Sequence, residues 1–411
     1  MTTPALVALL LLPLFPAWTL AGDSRPFVGT APNGSLVLQP AAGQQVLVDG
    51  VAFQSLLDRL ETQAQQLASL NGQLDGHLAG LECVAAVDTT SIAGLSGDLK
   101  WSTGVVARNG KVYGIPSAAS SVLVIDPATN AADATSISVP STGTSQWFSG
   151  VLANSGKIYG VPYTATSVLI IDPATNTTDT TSINVTDGAA KWSFGVLADN
   201  GKIYGVPYTA DSVLVLDPVA NVADTSSMAE LSTAARKWLG GALARNGKIY
   251  CIPFNAASVL VIDPAAGTAD DTSITGLSED AHKWWGGVLA PNGKIYGMPR
   301  NATSVLVIDP ATNTTDTTTM TGLAVSTGDG KWAGGVLAPS GKIYGIPLSA
   351  TSVLVIDPAT NTTDTTSLPV PAGDFKWRGG VLAGNGQIYG IPAEANSTLI
   401  IQSSCTVTRA L

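Results

Sequence analysis

The stretch Lys283–Thr319 reads KWWGGVLAPNGKIYGMPRNATSVLVIDPATNTTDTTT, and its punctuation marks out four short strands. Gly286 to Ala290 is small and apolar, Pro291-Asn292-Gly293 is a hairpin turn, and Lys294 to Pro299 is the second strand; Asn-Gly is the strongest short hairpin signal. After a loop over Arg300 to Thr303, Ser304 to Ile308 forms a branched apolar third strand. Asp309-Pro310-Ala311-Thr312 is a turn with proline at its second position, and Thr315 to Met320 is the outer strand. This unit recurs seven times. Its opening tryptophans, Trp101, Trp147, Trp192, Trp238, Trp284, Trp332 and Trp377, are spaced by 46, 45, 46, 46, 48 and 45 residues, the length of a four-stranded propeller blade and too long for a leucine-rich or ankyrin unit. Gly286 and Gly287 in the first strand let blades crowd a central axis, and the Ser-Val-Leu-Val-Ile strand packs blade on blade. Tyr113, Tyr159, Tyr204, Tyr250, Tyr296, Tyr344 and Tyr389 on the second strands fill the gaps between sheets. The expected fold is all-β, a seven-bladed β-propeller of four-stranded blades over residues 83–411.

The seventh unit stops after its third strand, Ser397 to Gln402, and the missing piece stands ahead of the first unit. Asp88-Thr89-Thr90-Ser91-Ile92 matches Asp364-Thr365-Thr366-Ser367, so the N-terminal strand is expected to close the ring as the outer strand of the last blade. Counting from the shared motifs places Cys83 and Cys405 at the positions of Ala359 and Thr360, neighbours in a blade turn. A Cys83–Cys405 disulfide clasping the broken ends is therefore expected in an oxidising compartment. Cys251 replaces the repeat glycine seen at Gly205 and Gly297 and reads as a buried free thiol.

Ahead of the repeats the chain changes character. Residues 1–21 carry no charged side chain, and Ala5 to Leu12 is an apolar run followed by prolines and the small-residue site Thr19-Leu20-Ala21, the pattern of a cleaved secretory signal with a retained anchor as its rival. Residues 22–52 form a short β segment and linker, with strands expected at Ser35 to Gln39 and Gln45 to Asp49. Over 53–82 a heptad places Leu60, Leu67, Leu74 and Leu81 at one core position and Leu57, Ala64, Asn71 and Leu78 at the other, which predicts a coiled-coil stalk and a homo-oligomer. The alternative is one amphipathic helix lying on the propeller. Sequons at Asn33, Asn176, Asn184, Asn301, Asn313, Asn361 and Asn396 suit a secreted or cell-surface glycoprotein. No later segment is apolar enough for a spanning helix, and a net charge of -10 argues against a nucleic-acid partner.

The run Asn292-Gly293-Lys294-Ile295-Tyr296-Gly297, with Ser304 to Pro310 and Ala311-Thr312-Asn313-Thr314, resembles a Kelch-type propeller repeat and is similar also to archaeal surface-layer propellers. The likeness covers Trp101 to Gln402. It departs where Met298-Pro299 stands in place of a second glycine and where threonines occupy the outer strand. The resemblance implies the fold and a broad range of roles, adhesion, scaffolding and catalysis among them.

Each blade is preceded by Lys100, Gln146, Lys191, Lys237, Lys283, Lys331 or Lys376. One reading gathers Lys100, Trp101, Lys191, Trp192, Lys237, Trp238, Lys283, Trp284, Lys331, Trp332, Lys376 and Trp377 around an axial opening, with ammonium groups for charge and indoles for stacking on sugars. The other makes the indoles inter-blade packing and the lysines solvated. Asp126, Asp172, Asp217, Asp263, Asp309 and Asp357 each precede a proline and read as turn caps. Neither a metal nor a cofactor is expected. His282, beside Lys283, Trp284 and the unrepeated Trp285, is the most singular spot, while His77 falls in the expected coil. Taken together the sequence predicts a non-catalytic recognition or adhesion module for a glycan, anionic or protein ligand. The rivals are an extracellular lyase or hydrolase with its site near His282 and a structural coat component.

Overall fold

The structure is a computed structural model. It describes residues 27–30, 36–39, 47–48, 51–52, parts of 59–69, and 85–403 apart from 141–142, 186–187 and 324–329. Residues 83–406 form one compact unit and the N-terminal segment belongs to another. In the larger unit, seven antiparallel four-stranded sheets follow one another in sequence order.

Blade 5 shows how the residues build a sheet. Its strands are Trp284–Leu289, Ile295–Pro299, Leu306–Asp309 and Thr314–Asp316. The first starts two residues earlier than the sequence suggested, because Trp284 pairs with Pro299, with a bulge between Trp284 and Gly287. The outer strand stops at Asp316, short of the expected Met320. Asp316 Oδ1 accepts the backbone N–H groups of Thr318 and Thr319 at 2.7 and 3.2 Å, and a side-chain turn of this kind competes with the ladder. Thr268–Ile274 of blade 4 runs longer than its counterparts.

Closure is as expected in kind. Ala86–Asp88 is the fourth strand of the last sheet, with Ile400 opposite Asp88, Ile401 opposite Val87 and Gln402 opposite Ala86. Thr398 N–H donates to Ile92 O at 3.0 Å, and Ile92 and Ile400 share one buried cluster. At the hairpin end Asn385 Nδ2 donates to Pro127 O and Tyr389 OH to Asn130 Oδ1, binding blade 7 to blade 1. The matching contacts of Asn246 with Pro310 and of Tyr250 with Asn313 bind blade 4 to blade 5.

In the N-terminal unit, Phe27–Thr30 pairs with Leu36–Gln39, and Leu47–Val48 pairs with Val51–Ala52. Leu47–Val48 falls within the expected strand Gln45 to Asp49, whose other residues lie outside the described ones. The chain is helical where it is described between 59 and 69. The remainder of the expected coil 53–82, with His77, lies outside the described residues, as do the signal segment, Asn33, Cys83 and Cys405. No helix among the described residues is long and apolar enough to cross a membrane.

Candidate functional site: the axial mouth

The first strands begin, and the second strands end, at the same end of the ring. There the backbone repeats in every blade. The residue after the second-strand proline donates its N–H to the carbonyl of its own blade's lysine position, as Tyr208 does to Lys191 at 2.8 Å. Its carbonyl accepts the N–H of the next lysine, as Tyr208 O does from Lys237 at 2.8 Å, and the series closes with Lys100 donating to Ala393 O. The residue before each lysine takes a positive φ in all seven blades: Leu99, Ser145, Ala190, Arg236, His282, Gly330 and Phe375.

The expected lysine and tryptophan ring is corrected by its burial. Lys100, Lys191, Lys237, Lys283, Lys331 and Lys376 are all buried, Lys237 being 1% exposed. Their ammonium groups donate to carbonyls inside the wall: Lys237 Nζ to Ala210 O at 2.7 Å and Ala234 O at 3.1 Å, Lys376 Nζ to Ala350 O at 2.9 Å and Gly373 O at 2.8 Å. Each rests on the indole of the next residue, Lys237 at 5.6 Å from the Trp238 ring. Burial pushes Lys237, Lys283, Lys331 and Lys376 down to about 8. Trp101, Trp147, Trp192, Trp238, Trp284, Trp332 and Trp377 are buried between sheets, and each Nε1 donates to the serine carbonyl twenty residues on, Trp238 to Ser258 O at 2.8 Å. Both sets therefore serve the blade: a four-carbon stem lets the ammonium reach two loop carbonyls at once, so the charge is held in the wall.

A different set packs at this end of the axis, at the positions flanking the wall, its core members buried and its outer members half-buried. Phe148, Leu239, Trp285 and Ala333, each following its blade's tryptophan, form one cluster with Tyr208, Phe254 and Leu348, each following a second-strand proline; Tyr163, Phe194 and Phe375 pack against it. Seven of these side chains are aromatic. They are every aromatic residue of the propeller outside the repeated tryptophans and tyrosines. The rings are in contact: Phe148 lies 5.7 Å from Trp285 and from Phe194, Tyr163 5.6 Å from Tyr208, and Phe254 4.7 Å from His282.

Cations complete the set. Arg300 and Arg378 each place Cζ 5.9 Å from the Trp285 ring, Arg300 also lying 5.5 Å from Phe254 and Arg378 5.8 Å from Phe375. Exposed Arg236 brings Nη1 to 3.2 Å from His282 Nε2. Gly330 is a notch for Arg300: a Cβ there would meet Arg300 Nε at 2.9 Å and Leu348 Cδ2 at 3.0 Å. Burial lowers the Arg378 pKa, Glu394 opposes that shift, and Arg300 adds to it. Burial likewise raises Tyr163 and Tyr208. In a chain of net charge -10 these three guanidinium groups bring positive charge to the mouth, with Glu394 acting on Arg378.

Beneath the mouth the first strands approach the axis so closely that side chains are excluded from four blades. Gly240, Gly286, Gly334 and Gly379 have positive φ, and a Cβ on Gly240 would sit 2.6 Å from Gly286 Cα. Blades 1 to 3 carry Thr103, Ser149 and Phe194 at this position. Thr103, Ser149, Phe194, Gly286, Gly334 and Gly379 line an axial cavity of about 130 Å³.

The opposite end is regular. Lys111–Asp126, Lys157–Asp172, Lys202–Asp217, Lys248–Asp263 and Lys294–Asp309 form half-exposed ion pairs there. Asp126 and its equivalents cap their turns, Asp126 accepting Ala128 N–H at 3.0 Å. Asn176, Asn313 and Asn361 are exposed in the same turns. Asn184 and Asn396 are exposed and Asn301 half-buried in loops at the mouth end. Cys251 is a buried free thiol. No cluster that could hold a metal ion is found among the described residues.

No protein-family model and no curated protein matches the sequence. Solved structures do. Streptogramin B lyase aligns with a TM-score of 0.63 at 11% identity, over 78% of this chain and 99% of its own. Virginiamycin B lyase from Staphylococcus aureus aligns at 0.63 and 8%, over 77% and 99%. The extracellular domain of BT4673 from B. thetaiotaomicron aligns at 0.56 and 11%, over 79% and 44%. At such identities the likeness is one of fold. The chain is a seven-bladed propeller, and kinship with Kelch-type repeats is not shown.

Proposed function

We propose that this protein is an extracellular, non-catalytic recognition module whose ligand seats on the axial mouth. One observation carries the reading: the residues that differ from blade to blade, aromatic and cationic, meet at one end of an otherwise repeating ring. A structural array has no use for that asymmetry, whereas a ligand does, since a unique ligand needs a unique set of partners. Rigid aromatic rings supply contact area at low conformational cost, and arginines supply directional donors. Half-buried Tyr163, His282, Phe375 and Arg378, with exposed Arg236, form the accessible rim. The composition of the mouth favours binding over chemistry, with seven rings and three guanidinium groups beside one histidine and Glu394. The sequons and the apolar leader support a secreted or cell-surface location, and multivalent display through 53–82 would add avidity.

The test is a panel of neutral saccharides, acidic saccharides and aryl carboxylates measured by calorimetry against the wild type and a His282→Ala/Phe375→Ala variant. Binding that weakens in the variant is expected. Undiminished binding in the variant, or conversion of a panel member into product by the wild type, would overturn the reading.

A further inference from the structure

The axial wall holds donors that find no acceptor in the protein. Trp285 Nε1, Arg378 Nε, Ser102 Oγ and Thr103 Oγ1 are all shielded from solvent and without a hydrogen-bond partner. Trp285 is 5% exposed, Thr103 7% and Ser102 fully buried. Burying such a group unpaired is unfavourable, and four of them fall at two successive positions of the first strands. Ser102 and Thr103 follow Trp101 in blade 1, Arg378 follows Trp377 in blade 7, and the ring brings those blades together: a Cβ on Gly379 would touch Thr103 Cγ2 at 3.3 Å. Thr103 also lines the axial cavity.

The chemistry of the set selects its occupant. Indole and guanidinium groups only donate, and serine and threonine hydroxyls rotate to donate. Arg378 makes no ion pair with a described carboxylate, and the ion pairs of Lys111, Lys157, Lys202, Lys248 and Lys294 lie at the far end of the ring. A second guanidinium, Arg300, flanks the same indole. Glu394 offsets part of the Arg378 charge, and water, which accepts hydrogen bonds, adds no negative charge to what remains. We infer that the axial wall beside Trp285 and Arg378 is a receptor for one small oxyanion, a carboxylate, sulfate or phosphate group, held by Arg378, Trp285 Nε1 and the Ser102 and Thr103 hydroxyls. The inference rests on the mouth as the binding face and names the chemistry that reaches inward from it. Of the four donors Thr103 alone lines the neighbouring axial cavity of about 130 Å³, so the wall has room for the oxyanion itself and any larger body stays on the aromatic rim.

Calorimetric titration at constant ionic strength, with sodium chloride as the balancing salt, tests it. The probes are sulfate for a free oxyanion, glucuronate for one borne on a sugar, and glucose as the neutral partner. The wild type is expected to bind sulfate or glucuronate saturably and glucose not at all. A signal from sulfate alone assigns a free anion, and one from glucuronate assigns a sugar acid. Arg378→Gln should weaken the bound anion about tenfold or more, as the loss of a charge-assisted bond implies. Arg378→Lys should recover part of that loss, and Trp285→Phe should weaken binding by about threefold or more. Exposed Lys342→Gln should bind as the wild type does. Near-UV circular dichroism confirms that each variant is folded. Wild-type affinity in folded Arg378→Gln, or no saturable binding of either anion, would overturn the site. A saccharide that binds at the rim, is weakened by His282→Ala/Phe375→Ala and is indifferent to Arg378→Gln would overturn the oxyanion receptor while leaving the mouth as the binding face.

Discussion

Replacing Lys237 by methionine separates a lysine that holds the wall from one that faces a ligand. The ammonium donates to Ala210 O and Ala234 O and lies 5.6 Å from the Trp238 ring. Ala210 belongs to a loop of blade 3 and Ala234 to the connection into blade 4, so this one group ties two segments. Hydrogen bonds to a charged group contribute about 1.5–3 kcal/mol each, and a desolvated cation on an indole up to about 2 kcal/mol. Against these stands the desolvation that pushes the Lys237 amine down to about 8, which converts to about 3 kcal/mol at 1.36 kcal/mol per unit. Methionine keeps the stem, removes that penalty and strands both carbonyls, leaving a net loss of about 1–3 kcal/mol. At roughly 2 °C per kcal/mol for a domain of this size, the melting temperature falls by about 2–6 °C. The sign with pH follows from linkage. The folded amine has the lower pKa, so the unfolded chain holds its proton longer, and the wild type gains stability as pH rises from about 8 towards the unfolded value near 10.4. The methionine variant lacks that gain, and its deficit widens across the same window. Calorimetric melts at pH 7, 8 and 9.5 read both effects. An unchanged melting temperature together with lost ligand affinity would refute the wall assignment and restore the lysine ring to the ligand.

Acid unfolding tests the repeated side-chain turns: the hydroxyl three residues on, aided by backbone N–H groups, holds Asp133, Asp179, Asp270, Asp316 and Asp364 down to about 2. Their stabilisation is present above the unfolded value near 3.9 and is lost as pH falls towards 2, so far-UV circular dichroism should show unfolding in that window, and Asp316→Asn should move its midpoint upward. Gly286→Ala should cost more in urea unfolding than Gly293→Ala, because only at Gly286 does a Cβ meet backbone, Gly334 Cα at 3.0 Å, in addition to the positive φ shared by both. Peptide mapping without reductant should recover a Cys83–Cys405 linkage, and dithiothreitol should lower the melting temperature. The paired strands Ala86–Asp88 and Leu399–Gln402 end just short of these residues, and recovery of both as free thiols would refute the clasp.

The architecture was legible because each blade repeats its own instructions. Asn292-Gly293 sets the hairpin, Asp309-Pro310 sets the next turn, and the orphaned Asp88-Thr89-Thr90-Ser91 announces closure. Strand ends were less legible, since Asp316 reads as part of a strand until its carboxylate is seen capturing two N–H groups. The site is less legible in the sequence, for a physical reason. A lysine beside a tryptophan in six of the seven blades suggests a charged, stacking surface, but residues that recur in this way are answering a need of the blade. The informative signal was the complement. Removing the repeated tryptophans and tyrosines leaves Phe148, Tyr163, Phe194, Tyr208, Phe254, Trp285 and Phe375, all within two residues of a first-strand tryptophan or immediately after a second-strand proline. His282 and Trp285, singled out as the most irregular spot, do belong to this set. Arg300 and Arg378 carry no signal in the sequence, because lone arginines give no sign that the ring folds them onto one indole.

The most direct test is a crystal structure of the propeller with the tightest-binding acid from the saccharide and aryl carboxylate panel. Ligand density over the axial mouth is expected, with its oxyanion in hydrogen-bond reach of Arg378 and its body against Phe375 and His282. Density in the turns of the opposite end or on the outer strands, with the mouth unchanged, would contradict the account.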